Sequence, residues 1–189
     1  MILFRSSSTA CIAIGLACHL ICAPAASAQT FVELGGGWTY LAPAPAGESY
    51  SRGFNIRASV GRQIAPHFRW RIDAFRSEFD ATRQYYPPCP PPGCTHLYYE
   101  TRSVSVTGLT ANGLVNVDPR GVVYVTGGAG LYAADATSSE LHLGVSAGAG
   151  IAVPLGARLR AVVEGRWHGL LGATDGPPWL VPITVGLRF

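Results

Sequence analysis

The stretch Trp179-Leu-Val-Pro-Ile-Thr-Val-Gly-Leu-Arg-Phe189 decides how the rest of the chain reads. One series of alternate residues is Trp179, Val181, Ile183, Val185, Leu187 and Phe189; the other is Leu180, Pro182, Thr184, Gly186 and Arg188. Successive side chains of a strand point to opposite faces, so the segment is a ribbon with one continuous apolar face. Its length is about what a tilted strand needs to cross the hydrocarbon core of a bilayer. A half-buried strand of a soluble protein alternates in the same way. The difference lies in the ending, on the last apolar residue of the cleanest strand in the chain.

Working back from that strand, seven further segments alternate. Phe31 to Tyr40 sets Val32, Leu34, Gly36, Trp38 and Tyr40 against Glu33, and Gly53 to Arg62 sets Phe54, Ile56, Ala58 and Val60 against Asn55, Arg57, Ser59 and Gly61. The third segment, from Phe68 to about Asp80, sets Phe68, Trp70, Ile72 and Ala74 against Arg69, Arg71, Asp73 and Phe75. The fourth, about Leu97 to Val117, changes its apolar parity near Gly108, which a β-bulge would explain. Val122 to Ala133 and Leu141 to Val153 follow, the latter with His142, Gly144, Ser146, Gly148 and Gly150 on its second face. The seventh sets Leu159, Ala161, Val163, Gly165 and Trp167 against Arg160, Val162, Glu164, Arg166 and His168.

The connections alternate as well. Ala42 to Arg52, Ala81 to His96, Asp135 to Ser139 and Ala173 to Pro178 are the longer, more polar ones; Gln63 to His67, Asp118 to Gly121 and Pro154 to Ala157 are tight. Aromatic residues of the apolar faces fall into two bands. Trp38, Tyr40, Trp167 and Trp179 lie toward the long loops, while Phe68, Trp70 and Phe189 lie toward the short turns. Rings with an apolar body and a polar tip suit the headgroup level on each side of a bilayer. The expected fold is all-β: an eight-stranded antiparallel up-and-down transmembrane β-barrel over residues 29–189, with both termini at the short-turn end.

Over this whole region the pattern resembles the eight-stranded OmpA-like outer-membrane barrels and their relatives, the opacity and OmpW-type proteins. A final amphipathic strand closing on Phe189 is similar to the closing strand of that family. The resemblance is architectural. It implies residence in the cell outer membrane, contact with outer-membrane lipid, and delivery by the barrel-assembly machinery, with Phe189 as an insertion signal. No periplasmic domain of the OmpA type is expected after Phe189.

The amino terminus agrees with export. Arg5, the apolar run Ala10 to Ile21 and the small residues Ala26-Ser27-Ala28 make residues 1–28 a signal peptide, leaving 161 of the 189 residues for one domain. Cys11, Cys18 and Cys22 fall inside it, in a context that does not suit lipoprotein processing. No later segment is apolar for the length a membrane helix requires; the mean hydropathy of +0.23 is spread over alternating segments instead. Net charge is +3, or +2 without Arg5, and supports no nucleic-acid partner. All fourteen basic residues are Arg, for which genome base composition is a sufficient explanation.

Cys89 and Cys94 remain, in Tyr85-Tyr-Pro-Pro-Cys-Pro-Pro-Pro-Gly-Cys94. In an oxidising compartment the simplest reading is a disulfide, with the loop bending at Gly93 and the link worth about 2 kcal/mol in the chain-entropy model. A metal site with His96 as third ligand lacks a fourth, so no metal or cofactor is expected.

Inward parity falls to Glu33, Arg57, Arg69, Arg71, Asp73, Arg160, Glu164, Arg166 and Arg188. An unpaired charge away from water is costly, so these residues are expected to form one hydrogen-bonded network, with Glu33 meeting Arg188 across the closing seam. Two other readings are weaker. Gly36-Gly37-Trp38 matches the G-x-W of lipocalins, but a lipocalin turns its apolar face inward. Barrels similar to lipid A deacylases carry His and Ser two residues apart near the outer rim. Here Ser146 lies four residues past His142, about 13 Å along a strand, so no enzyme is expected. Two functions remain: a structural or surface-interaction barrel acting through its outer loops on an unknown extracellular partner, or a small porin-like channel for ions or small solutes.

Overall fold

The computed structural model describes residues 29–41, 48–85, 98–135, 139–172 and 177–189. The expected signal peptide and both Cys89 and Cys94 lie outside the described residues.

Nine strands follow one another: β1 (Thr30–Leu41), β2 (Glu48–Tyr50), β3 (Gly53–Ala65), β4 (Phe68–Tyr85), β5 (Tyr98–Asn116), β6 (Val123–Asp135), β7 (Ser139–Pro154), β8 (Arg160–Leu170) and β9 (Trp179–Arg188). Eight are long, and each pairs antiparallel with the next. β4 joins β5 and β9 joins β1, so the sheet closes on itself. Closure matters in a bilayer, where an open edge would leave backbone N–H and C=O groups without water.

The short β2 lies inside the first long loop of the sequence reading. It continues the β3 ladder along β4, with Tyr50 opposite Ala81 and Glu48 opposite Arg83. Ser51 N–H donates to Asp80 O at 2.9 Å, and Asp80 N–H donates to Ser51 Oγ at 3.0 Å, so the ladder continues through the break. Three residues are too few for alternation to reveal a strand.

The expected bulge near Gly108 is absent. β5 pairs with β4 residue for residue from Phe68↔Val115 to Tyr85↔Tyr98, and equally evenly with β6. The register irregularity described along β4 lies elsewhere, between Gln63 and Ala65. The apolar parity changes at Gly108 because the surroundings of the strand change. Below it, Leu109, Ala111, Gly113 and Val115 face outward, as do Phe68, Trp70, Ile72 and Ala74 on β4. Above it, the outer wall carries Thr107 and Ser103 opposite Arg76 and Asp80, with Glu78 exposed between them and Ser105 covered, while Val104, Val106, Phe79 and Ala81 turn into the lumen. The β4–β5 hairpin has left the bilayer. Its outer wall meets water and its apolar side chains move inside.

Outward faces elsewhere stay apolar along the ladder. Trp38 is 61% exposed and Leu141 69%, whereas Glu33 and Arg71 are 0% exposed. A contiguous apolar belt of this extent is compatible with lipid and not with water. The same polarity excludes the lipocalin arrangement. At the short-turn end, the turn after β5 is held by Asp118, whose Oδ1 accepts from Val123 N–H at 2.6 Å and whose Oδ2 accepts from Arg120 N–H at 3.0 Å. Gly121 closes it at φ +64°, where a side chain would be strained.

Three large rings fit the lumen because a glycine lies opposite each. Phe31 faces Gly61, Phe75 faces Gly108 and Tyr124 faces Gly150 across neighbouring strands. A Cβ built on those glycines would come within 2.4, 2.3 and 2.5 Å of the ring atoms. The missing side chain is the space the ring occupies.

Candidate functional site: the filled lumen and its periplasmic mouth

The inward series of the eight long strands stack in three tiers. Nearest the short turns, Leu114, Tyr124, Ala152 and Val162 form a small buried cluster. Above it lies the ionic tier. Alternation along β4 aligns Arg69, Arg71 and Asp73, while β8 supplies Glu164 and Arg166, β3 Arg57, β1 Glu33 and β9 Arg188.

Closure of the barrel brings Glu33 directly opposite Arg188. Arg188 Nε and Nη2 donate to Glu33 Oε2 at 2.9 and 2.7 Å. Arg57 bridges Glu33 and Glu164. Arg71 reaches all three carboxylates: Nη1 lies 3.3 Å from Glu33 Oε1, Nη2 lies 2.9 Å from Glu164 Oε2, and Nε lies 2.8 Å from Asp73 Oδ1. Arg166 bridges Asp73 and Glu164. Neutral donors complete the acceptors, with Tyr124 Oη donating to Glu164 at 2.6 Å and Asn112 Nδ2 to Asp73 at 2.8 Å. Four guanidinium groups thus share three carboxylates. Buried charges persist only when paired and hydrogen-bonded in this way.

Arg69 and Arg160 stand apart from this cluster. Arg69 donates to the Asn116 side chain and Arg160 Nη1 to Gly121 O at 3.2 Å, both at the short-turn mouth. That mouth is a recess of about 500 Å³ with Phe31, Arg69, Arg158, Arg160, Arg188 and Phe189 among its walls.

The upper tier is apolar and aromatic. Phe75, Phe79, Val104, Val106, Tyr132, Leu170 and Leu180 pack into one core, with Leu41 and Tyr50 against it. Beside it, Thr39 and Ser77 hydroxyls meet at 3.1 Å, and Thr184 donates to Asn55 at 3.0 Å. His168 packs 4.7 Å from the Phe75 ring, and its Nδ1 lies 3.0 Å from Tyr132 Oη.

One juxtaposition escaped the sequence reading. Ser146 lies directly opposite His168, on β7 and β8. Spacing within a strand cannot reveal a pair formed across strands. Ser146 Oγ donates to Asn112 Oδ1 at 2.8 Å, and both Ser146 and His168 are buried under the aromatic tier. The pair therefore joins the polar network of the lumen.

On the exterior, Trp38, Tyr40 and Trp167 are exposed toward the long-loop end. Trp179 is half-buried there, opposite Gly169. Phe68 and Phe189 are exposed at the short-turn end, and Trp70 is half-buried near them. Phe189 is also tied to β1, its N–H donating to Val32 O at 2.9 Å and its O accepting from Val32 N–H at 3.2 Å.

A closed barrel with a lipid-facing belt and a charged interior is an integral outer-membrane β-barrel. Among solved structures, the chain is similar to Neisserial surface protein A: 16% identity, 86% of this chain and 98% of that one covered, TM-score 0.55. Two further similar structures are the outer membrane protein OprG from Pseudomonas aeruginosa (13% identity, 85% and 95% covered, TM-score 0.47) and Ail of Yersinia pestis (10%, 86% and 97%, TM-score 0.42). At these identities the likeness concerns the fold. No family model matches the chain, and no curated protein does.

Proposed function

We propose that this outer-membrane barrel is a non-conducting, non-catalytic scaffold that displays its outer loops to an extracellular partner. The observation that supports the reading is the filling of the lumen. Arg71, Tyr124 and Tyr132 project into it at three heights, and each is 0% exposed to a water-sized sphere. An eight-stranded barrel is about wide enough for side chains to fill, and these side chains are large. The long β4–β5 hairpin adds to the reading. Beyond Ala74 and Leu109 it projects about 35 Å along the strands, with Arg76, Glu78 and Asp80 outward, which carries its described end at Tyr85 and Tyr98 clear of the headgroups. Assembly is proposed to depend on recognition of β9 and Phe189 by the barrel-assembly machinery.

Single-channel recording of the refolded protein in a planar bilayer tests the proposal. A silent bilayer with correctly folded protein is the expected result. Discrete conductance steps that shift on Arg71→Ala would overturn it and favour a small pore. That second reading draws on Asn55 Nδ2, a buried lumen donor without a protein partner.

A further inference from the structure

The arginines of the lumen outnumber its carboxylates, and the excess sits at one end. Glu33, Asp73 and Glu164 face Arg57, Arg71, Arg166 and Arg188 in the ionic tier; Arg69 and Arg160 follow below with neutral partners only. The nearby carboxylate of the β5–β6 turn, Asp118, is engaged by the N–H groups of Arg120 and Val123 and does not line the recess.

Five of these six arginines are buried with one side-chain nitrogen lacking a hydrogen bond, and two of the five, Arg69 and Arg188, line the recess. Arg188 is 4% exposed and Arg69 is 7% exposed. Arg188 Nη1 and Arg69 Nε have no hydrogen-bond partner, and both residues line the recess at the periplasmic mouth. Their guanidinium groups converge on one ring, Arg69 Cζ lying 5.8 Å and Arg188 Cζ 5.4 Å from the centre of Tyr124, while Arg188 also lies 4.8 Å from Phe31. Arg188 already meets the Glu33 carboxylate, whereas Arg69 holds its charge near the same ring with a neutral partner only. Their planar N–H forks suit the oxygens of a phosphate or a phosphodiester. Arg160, in register with Arg188 on the neighbouring strand, and Arg158 extend the positive lining, and Phe31 and Phe189 provide an apolar one.

We propose that this recess is an anion site for a phosphate group, taken from a free phosphate or from the headgroup of a phospholipid of the inner leaflet. Arg69 and Arg188 grip the oxygens from above, Arg160 from the side, and Phe31 and Phe189 contact whatever apolar body the phosphate carries. The recess is far larger than a phosphate ion alone, and Phe189 continues from its wall onto the lipid-facing surface. Both features suit a headgroup. The proposal is independent of whether the lumen conducts, so neither result decides the other.

The test uses the full refolded chain and the double variant Arg69→Gln with Arg160→Gln, which leaves the carboxylate-bound arginines untouched. Arg76→Gln, on the outer wall, is the control for loss of charge. The first arm titrates inorganic phosphate against chloride at equal ionic strength and follows the thermal transition. The second exchanges the protein into phosphatidylcholine nanodiscs with and without phosphatidylglycerol, and native mass spectrometry after release counts retained lipid. Saturable stabilisation by phosphate identifies free phosphate as a ligand, and retention of phosphatidylglycerol alone identifies the headgroup. In either case the double variant should bind at least ten-fold more weakly, while Arg76→Gln matches the parent. Neither phosphate stabilisation nor lipid retention would overturn the proposal. So would binding that survives in the double variant, or that falls equally in Arg76→Gln. The folded state of each variant is checked by its heat-modifiable gel mobility.

Discussion

Removing Glu33 should destabilise the barrel more than any other single change in the ionic tier. Glu33 is fully buried and its two oxygens receive Arg57, Arg71 and Arg188. Charge-assisted hydrogen bonds contribute roughly 1.5–3 kcal/mol each, and the contact to Arg71, at 3.3 and 3.4 Å, is the weakest of the three. After Glu33→Ala, four arginines share two carboxylates, and breaking a buried pair in this way costs roughly 3–5 kcal/mol. Arg188→Ala alone should cost about 2 kcal/mol, since Glu33 keeps two partners and loses its strongest donor. In the Glu33→Ala background Arg188 is a surplus charge, and its removal should cost about 1 kcal/mol or less, giving a coupling of about 1–2 kcal/mol. Urea unfolding of the four proteins in detergent micelles, followed by tryptophan fluorescence, measures the cycle. If the coupling is zero within error, the charge-assisted pair across the β1–β9 seam does not stabilise the fold and the reasoning fails.

Four further outcomes are expected. Gly108→Val should displace the Phe75 ring and destabilise the barrel by about 1–3 kcal/mol, and Phe75→Leu in the same chain should restore part of that loss in the same unfolding assay. Spin labels at positions 74 and 78 should report opposite surroundings, oxygen relaxing the first more and a water-soluble nickel chelate the second; equal accessibility would contradict the exit of β4 from the bilayer after Ala74. Deleting Phe189 should lower the amount assembled in the outer membrane in cell fractionation while detergent-refolded protein stays largely folded, and equal assembly would remove its role as an insertion signal. Replacing Cys89 and Cys94 by Ser should increase protease nicking between residues 82 and 96 and leave the thermal transition of the barrel nearly unmoved; two free thiols in protein purified without reductant would refute the link.

The lipid-facing surface was legible in the sequence because a strand alternates with a period of two wherever one side meets lipid and the other a polar lumen. That condition holds for Phe54 to Val60, for Leu141 to Val153 and for Trp179 to Phe189, and the strands and their faces follow from it. It fails beyond Gly108. There the outer wall meets water and Val104 and Val106 pack inward, so the apolar residues change sides while the register does not, and alternation alone reads as a bulge. Which carboxylate meets which arginine is only partly legible. Glu33 and Arg188, 155 positions apart, are expected to meet once the last strand is set beside the first, but how Arg57, Arg71 and Arg166 share Asp73 and Glu164 is not legible. Ser146 and His168, and the glycines opposite Phe31, Phe75 and Tyr124, are likewise neighbours across strands. Local alternation determines which face a side chain takes. Closure of the barrel, a property of all eight long strands together, decides what that side chain meets.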